Sequence, residues 1–186
     1  VYVAAHGVHG LEDGVHWYDP VAHALVRIAP PPLGDDFATT VIVTGVAWRT
    51  TWRYAERGFR HIYWDAGSML AQLLALADSA GWQPRLYTRF PDIRLAAVVG
   101  ADGVQEFPVA LVTLGDGGPA IDPGGQPAQG SIGDDPTEFP LVTLVQQAGR
   151  DPKTATKVAA KAGDGAIDAP VWVLVTTGTS GPAEVF

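Results

Sequence analysis

Apolar and polar positions along the chain fall into a few patterns, each with a structural consequence. His16-Trp17-Tyr18-Asp19 and Ala24-Leu25-Val26-Arg27-Ile28 flank Pro20-Val21-Ala22-His23. That arrangement predicts a hairpin with Asp-Pro opening the turn. Pro30-Pro31-Pro32 breaks the chain. Residues 39–44 are β-branched throughout, which predicts a buried strand. Met69, Leu70, Leu73, Leu74, Ala77 and Ala80 recur at helical spacing, and Leu76 widens the stripe. They predict a helix over 66–80, with Asp65 as N-cap and Gly81 at the left-handed stop. The stripe is wide enough for a helix buried in the centre of a domain. Residues 104–114 read as a strand, and the early Pro108 suggests an edge strand or an irregular start.

Further on, 115–136 is rich in Gly, Pro and Asp. Such a stretch buries too little apolar surface to offset its ordering entropy, so 116–136 reads as a mobile linker. Residues 139–149 form a short apolar segment with helical character. Residues 151–162 look like a solvated helix, with Asp-Pro at its start and Lys153, Lys157 and Lys161 every fourth position. Residues 171–176 are a strand candidate. Glu106-Phe107-Pro108 and Glu138-Phe139-Pro140 echo each other, each running into Leu-Val-Thr-Leu. The spacing differs between the two, and chance explains them.

Composition narrows the class. The 186 residues are 47% apolar and 17% charged, enough for a buried core in one ordinary domain or one unit plus a tail. No apolar run approaches the length of a membrane span. The net charge of −8 argues against nucleic acid or an anionic membrane surface as a partner, since binding either needs a basic face. Cys is absent, which excludes disulfides, thiolate metal sites and a Cys nucleophile. The opening residues carry no signal-peptide pattern, so the expected location is the cytoplasm. A first residue of Val and a single Met at position 69 suggest a piece of a longer protein.

Candidate chemistry is concentrated in one place. His6 and His9 have a spacing that can ligate metal, but no third ligand sits at a fixed distance, and a solvated loop is the favoured reading. No Gly-x-Ser-x-Gly elbow is present. Gly115-Asp116-Gly117-Gly118 lacks the Lys-Ser/Thr of a phosphate loop. By contrast, residues 48–64 interleave Arg49, Arg53, Arg57 and Arg60 with Trp48, Trp52, Tyr54, Phe59, Tyr63 and Trp64. Arg forks bind phosphate or carboxylate and stack on aromatic planes. The run suits a planar anionic ligand; equally, it suits a structural cluster in which Glu56 pairs with Arg60.

Tyr54-Ala55-Glu56-Arg57-Gly58-Phe59-Arg60, then Asp65-Ala66-Gly67 and a long helix, resemble the SagB-type dehydrogenases of the nitroreductase-like flavoprotein superfamily. That family shows Lys-Tyr-Gly-x-Arg-x-Tyr-Arg, Asp-Ala-Gly-His, a helix ending in Leu-Gly, a Gly-Gly-Phe-Asp loop and a final strand closing on Gly. Gly81, Phe90-Pro91-Asp92 and the stretch from Glu106 to Gly115 follow in the same order. The front hairpin matches too, so the resemblance covers about residues 1–115. It implies an α+β fold with a mostly antiparallel central sheet flanked by helices. It also implies FMN at the interface of two paired units, from a homodimer or a tandem copy, and redox activity on a peptide or small molecule. On this reading 1–115 is a partial unit, 116–136 a linker, and 137–186 a segment leading into a second copy.

The resemblance assigns catalytic roles to Tyr54 and Arg53, and places Leu86, Tyr87, Thr88 and Arg89 beside the flavin ring. The departures are specific. Arg53 replaces the family's Lys and is a poor general base, because a guanidinium does not give up its proton. Ser68 stands for the His after Asp-Ala-Gly, and Ala71-Gln72 for a Gln-Asn pair. Thr88-Arg89 replaces glycines that would let a ring approach the backbone. The family's phosphate-gripping Arg segment would precede Val1. These departures support a rival reading: a non-catalytic unit of the same fold that braces an active partner or binds peptide.

Overall fold

The computed structural model describes residues 1–128 and 136–150, together with the backbone of 156–158. The described strands are β1 (Tyr2–Ala5), β2 (Gly14–Asp19), β3 (Ala24–Ala29), β4 (Thr39–Val46), β5 (Arg85–Arg89), β6 (Glu106–Leu114) and β7 (Thr156–Val158). They form one sheet in the order β3-β2-β1-β4-β6-β5-β7. Every pairing in it is antiparallel. The helices are α1 (Trp48–Tyr54), α2 (Gly58–Ser79), α3 (Asp92–Val99) and α4 (Pro140–Ala148), and a 3-10 turn over Ala55–Arg57 joins α1 to α2.

The pleat of the central strands divides the core in two. Successive side chains of a strand point to opposite faces. Val41 and Val43 of β4 therefore join Val112 of β6 on one face, packed with Ile62, Ala66, Leu70 and Leu74 of α2. Ile42 and Leu111 point the other way, to Leu95, Val98 and Val99 of α3. Val142 of α4 closes the α2 side. The fold is α+β, an antiparallel sheet flanked by helices, as expected.

The front hairpin forms as its pattern predicts. Asp19 shapes its turn, accepting hydrogen bonds from the backbone N–H groups of Val21 at 2.8 Å and Ala22 at 3.2 Å. The end of α2 is also as expected. Gly81 adopts φ 75°, and the N–H groups of Gly81 and Trp82 donate to the carbonyls of Asp78 and Ala77. That is a Schellman stop, and glycine provides the left-handed residue without a Cβ penalty.

Three expectations need correction, the second of them only in part. The helix over 66–80 begins at Gly58, and Asp65 is an exposed interior residue rather than a cap. Its buried stripe is Gly58, Ile62, Ala66, Leu70, Leu74 and Ala77, while Met69 and Leu76 are exposed. The aromatic residues at 59–64 interrupt the aliphatic signal without interrupting the helix. Second, of the two readings of Pro108 the irregular start holds and the edge strand does not, since β6 lies between β4 and β5. Pro108 is accommodated at an irregularity where Val43 pairs with Ala110 and Thr44 with Pro108; a bulge tolerates the missing N–H. Third, 156–158 is strand, not solvated helix: it pairs with β5.

The described part of the linker candidate, 116–128, has backbone anchors that its composition does not reveal. Gly118 N–H donates to the Asp36 carbonyl and its own carbonyl accepts from Ala38 N–H. Leu33 N–H donates to Asp122, and Ala128 N–H to Ile28. Arg94 pairs with the Asp122 carboxylate. The two Glu-Phe-Pro motifs lie in different structures: Phe107 is in β6, whereas Phe139 precedes α4. Residues 129–135, the rest of 151–162 and the strand candidate 171–176 lie outside the described residues.

Candidate functional site

The Arg and aromatic run over 48–64 folds into α1, the 3-10 turn and the first turns of α2, a shoulder at the end of β4. Arg53 and Tyr54 close α1, both exposed. The next residue, Ala55, has φ 48° and ψ −142°. A non-glycine residue held there stores strain, and the strain turns the chain sharply just after Tyr54. The Tyr54 ring stacks on His61, with centroids 4.3 Å apart and planes at 23°. His61 in turn meets Trp64 edge-on at 4.9 Å. The His61 Nε2 and Trp48 Nε1 atoms are buried without a hydrogen-bond partner. Glu56 and Arg60 fall in different elements, the 3-10 turn and α2.

Leu86 to Arg89 lie on β5. Leu86 packs against the α2-side core and Tyr87 against the α3 side. Both backbone edges are occupied at Leu86 and Tyr87: Arg85, Leu86 and Tyr87 pair with β6, and Leu86, Tyr87 and Arg89 pair with β7. β4 and β5 are both antiparallel to β6, so they run in the same direction. The chain leaves β4 towards α1, and leaves β5 towards α3, at the same end of the sheet. Arg53 with Tyr54, and Leu86 with Arg89, are thus two groups separated by β6.

A constellation that the sequence does not signal lies between them. A groove of about 680 Å³ opens where β1 begins, β4 ends and β6 begins. Within it the Glu106 Oε1 atom accepts from the Tyr2 hydroxyl at 2.9 Å and from the Thr44 hydroxyl at 2.6 Å. Arg49, Asp65 and Trp17 also line the groove. Burial, then the charge and hydrogen bond of Glu106, push the Tyr2 phenol pKa well above its ordinary value; Arg49 opposes them. The phenol therefore remains a donor. Tyr2 and Glu106 are far apart in sequence, and only the pairing of β1 and β6 with β4 brings them together. Spacing in the sequence carries no trace of that.

His6 lies in an exposed loop beside Asp13 at 3.3 Å. Among the described residues no group of three His, Cys, Asp or Glu is placed to hold a metal ion. No described helix is long and apolar enough to cross a membrane.

The fold is similar to that of a solved structure from Anabaena variabilis, described as a "putative nitroreductase", which superposes with a TM-score of 0.62 over 82% of this chain. The identity is 22%, and the match takes in 35% of that longer chain. In sequence, the chain is 27% identical over 128 residues to "Putative nitroreductase MJ1384" of Methanocaldococcus jannaschii. That match spans 62% of this chain and 63% of the relative, so somewhat under two thirds of the relative's length is represented. No family model matches. Both comparisons are thus with proteins described as putative nitroreductases, one by sequence and one by fold.

Proposed function

We propose that the chain is a unit of an FMN-dependent oxidoreductase of the nitroreductase-like superfamily, in the SagB-type branch. The observation that carries the reading is the nitroreductase fold over 82% of the chain, found alongside an independent sequence match. On this reading the protein is cytoplasmic and works as a pair of units, from a homodimer or a tandem copy. The exposed Trp52, Trp64 and Leu76 of α1 and α2 supply apolar surface for the second unit. The substrate is a peptide or a small molecule.

The flavin supplies the redox chemistry. The residues present fit it unevenly. Arg53, Arg57 and Arg60 are exposed guanidinium groups of the kind that grips phosphate, beside aromatic planes. The backbone at Leu86 and Tyr87 does not fit as a cradle, because both its edges already belong to β6 and β7. Tyr54 is the group suited to hold and move a proton: it is half exposed and held by the His61 stack. Arg53 stays protonated and stabilises negative charge without acting as a base.

The occupied edges of β5 favour a second reading, a non-catalytic unit that braces an active partner or binds peptide. The two are separated by loading the full chain with FMN, desalting, and measuring retained flavin colour and electron transfer from the reduced flavin to a nitroaromatic probe. An active unit retains flavin and transfers electrons. Tyr54→Phe then retains flavin but slows transfer by about 10²–10⁴ if the phenol is the acid–base group. A colourless native chain supports the bracing unit.

A further inference from the structure

We propose that the outer stripe at the start of α2, with Tyr54 laid against it, is a docking surface for an extended acidic peptide. Helix spacing sets the stripe. Arg57 and Gly58 both hold right-handed helical dihedrals. Arg57, Arg60, His61 and Trp64 therefore stand three and four residues apart on one face, turned away from the buried stripe of Gly58, Ile62 and Ala66. Tyr54 joins that face from α1 through its stack on His61, 4.3 Å between ring centroids, and Trp64 meets His61 edge-on at 4.9 Å. Tyr54, Arg57, Arg60 and Trp64 are all exposed. Rings and guanidinium groups thus share one surface.

The guanidinium groups on it are uncompensated. Arg27, Arg85 and Arg94 are each paired with a carboxylate. Among the described residues, Arg53, Arg57 and Arg60 form no ion pair, in a chain with 20 acidic residues to 12 basic ones. Glu56 is exposed beside them and pairs with none, and Asp65 lines the groove with Arg49 instead. The shoulder therefore keeps a net positive charge, and guanidinium forks match carboxylates in geometry as well as sign. Length favours an extended ligand. From Arg57 to Trp64 the stripe covers about 10 Å of helix; a lone anion would use one end of it, whereas about three residues of extended peptide would span it. The inference rests on the peptide reading of the substrate given above and narrows it. His61, which carries Tyr54, lies one turn beyond Arg57, about 6 Å along the axis. A peptide whose reacting residue sits at Tyr54 then has a carboxylate about two residues away.

Calorimetry on the full chain, with no flavin added, compares acetyl-Gly-Glu-Phe-Glu-Gly-amide with its Gln and Lys counterparts and with inorganic phosphate. The acidic peptide should bind one to one, and more weakly as salt is raised. The Gln peptide should bind at least about tenfold more weakly, and the Lys peptide should show no saturation. Arg57→Gln combined with Arg60→Gln should weaken the acidic peptide by about tenfold. Arg27→Gln shifts the net charge in the same direction from the front hairpin, and should leave the affinity within about twofold. Equal binding of the Glu and Gln peptides, a double variant no weaker than Arg27→Gln, phosphate binding more tightly than the acidic peptide, or no saturable peptide binding would each overturn the proposal. Flavin retention is measured separately. A chain that holds FMN and ignores the acidic peptide loses this inference alone, and one that takes the peptide without FMN keeps it.

Discussion

Gly58 shows how closely α1 and α2 approach. A Cβ there would lie 2.9 Å from Thr51 Cα and 3.0 Å from Thr51 N, both backbone atoms that cannot swing aside. Gly58→Ala should therefore cost about 1–3 kcal/mol by overpacking, set against the ~1 kcal/mol that Ala gains over Gly within a helix. A fall in the urea midpoint with unchanged slope is the expected result. Two tyrosines give a pH signature. Burial raises the Tyr63 phenol pKa well above its ordinary value, with Asp92 adding to the effect, and Tyr2 is raised by burial and Glu106. A raised pKa means the folded chain holds its proton after the unfolded chain has lost it. The stability this contributes is fully present below about pH 10 and is lost above it, at up to about 1.4 kcal/mol per pH unit for each group. Urea titrations at successive pH values should show the decline, and Tyr63→Phe should reduce its slope.

Among the elements, α2 offers the sharpest contrast. Leu70 is 3% exposed and Leu76 70% exposed on the same helix. Leu70→Ala should cost about 2–5 kcal/mol, and Leu76→Ala should stay within about 0.5 kcal/mol. Equal losses would mean that the helix is rotated from the position described. This contrast also marks how far the sequence is legible. The front hairpin, β4 and the Gly81 stop follow from local chemistry: a turn-forming Asp19, β-branched residues, a glycine with positive φ. The start of α2 is hidden because glycine and aromatic residues mask its period. The place of β6 in the sheet is hidden because a proline in a central strand needs a bulge, and a bulge is a property of two strands. Tyr54 and Arg53 are visible as members of a dense run, whereas the Tyr2–Thr44–Glu106 cluster exists only through pairing of three strands.

For the molecule as a whole, the arm at 116–128 is the testable part. Its hydrogen bonds reach Asp36, Ala38, Leu33 and Ile28, which ties it along the end of β3 and the segment after it. At Gly124 a Cβ would fall 1.7 Å from the Pro31 carbonyl oxygen, so glycine alone permits this path. Limited proteolysis should spare 116–128 in the native chain, because cleavage needs the backbone released. Gly124→Ala should open the arm to cleavage without unfolding the sheet. Rapid nicking of the native chain across 116–128 would show that these tethers do not hold.

The pairing of β4 with β6 sets the order in which the protein can assemble. β4 is central and apolar, yet one of its two neighbours, Glu106–Leu114, is encoded after α1, α2, β5 and α3. During synthesis the ribosome releases Thr39–Val46 with the β1 to β3 meander already available on one side and β6 not yet made. Until β6 emerges, that strand presents an unpaired edge to every other nascent chain nearby. Non-local pairing of this kind folds slowly and is exposed to aggregation meanwhile. Yield on expression should therefore depend on translation speed and chaperone supply more than the folded chain's stability would suggest.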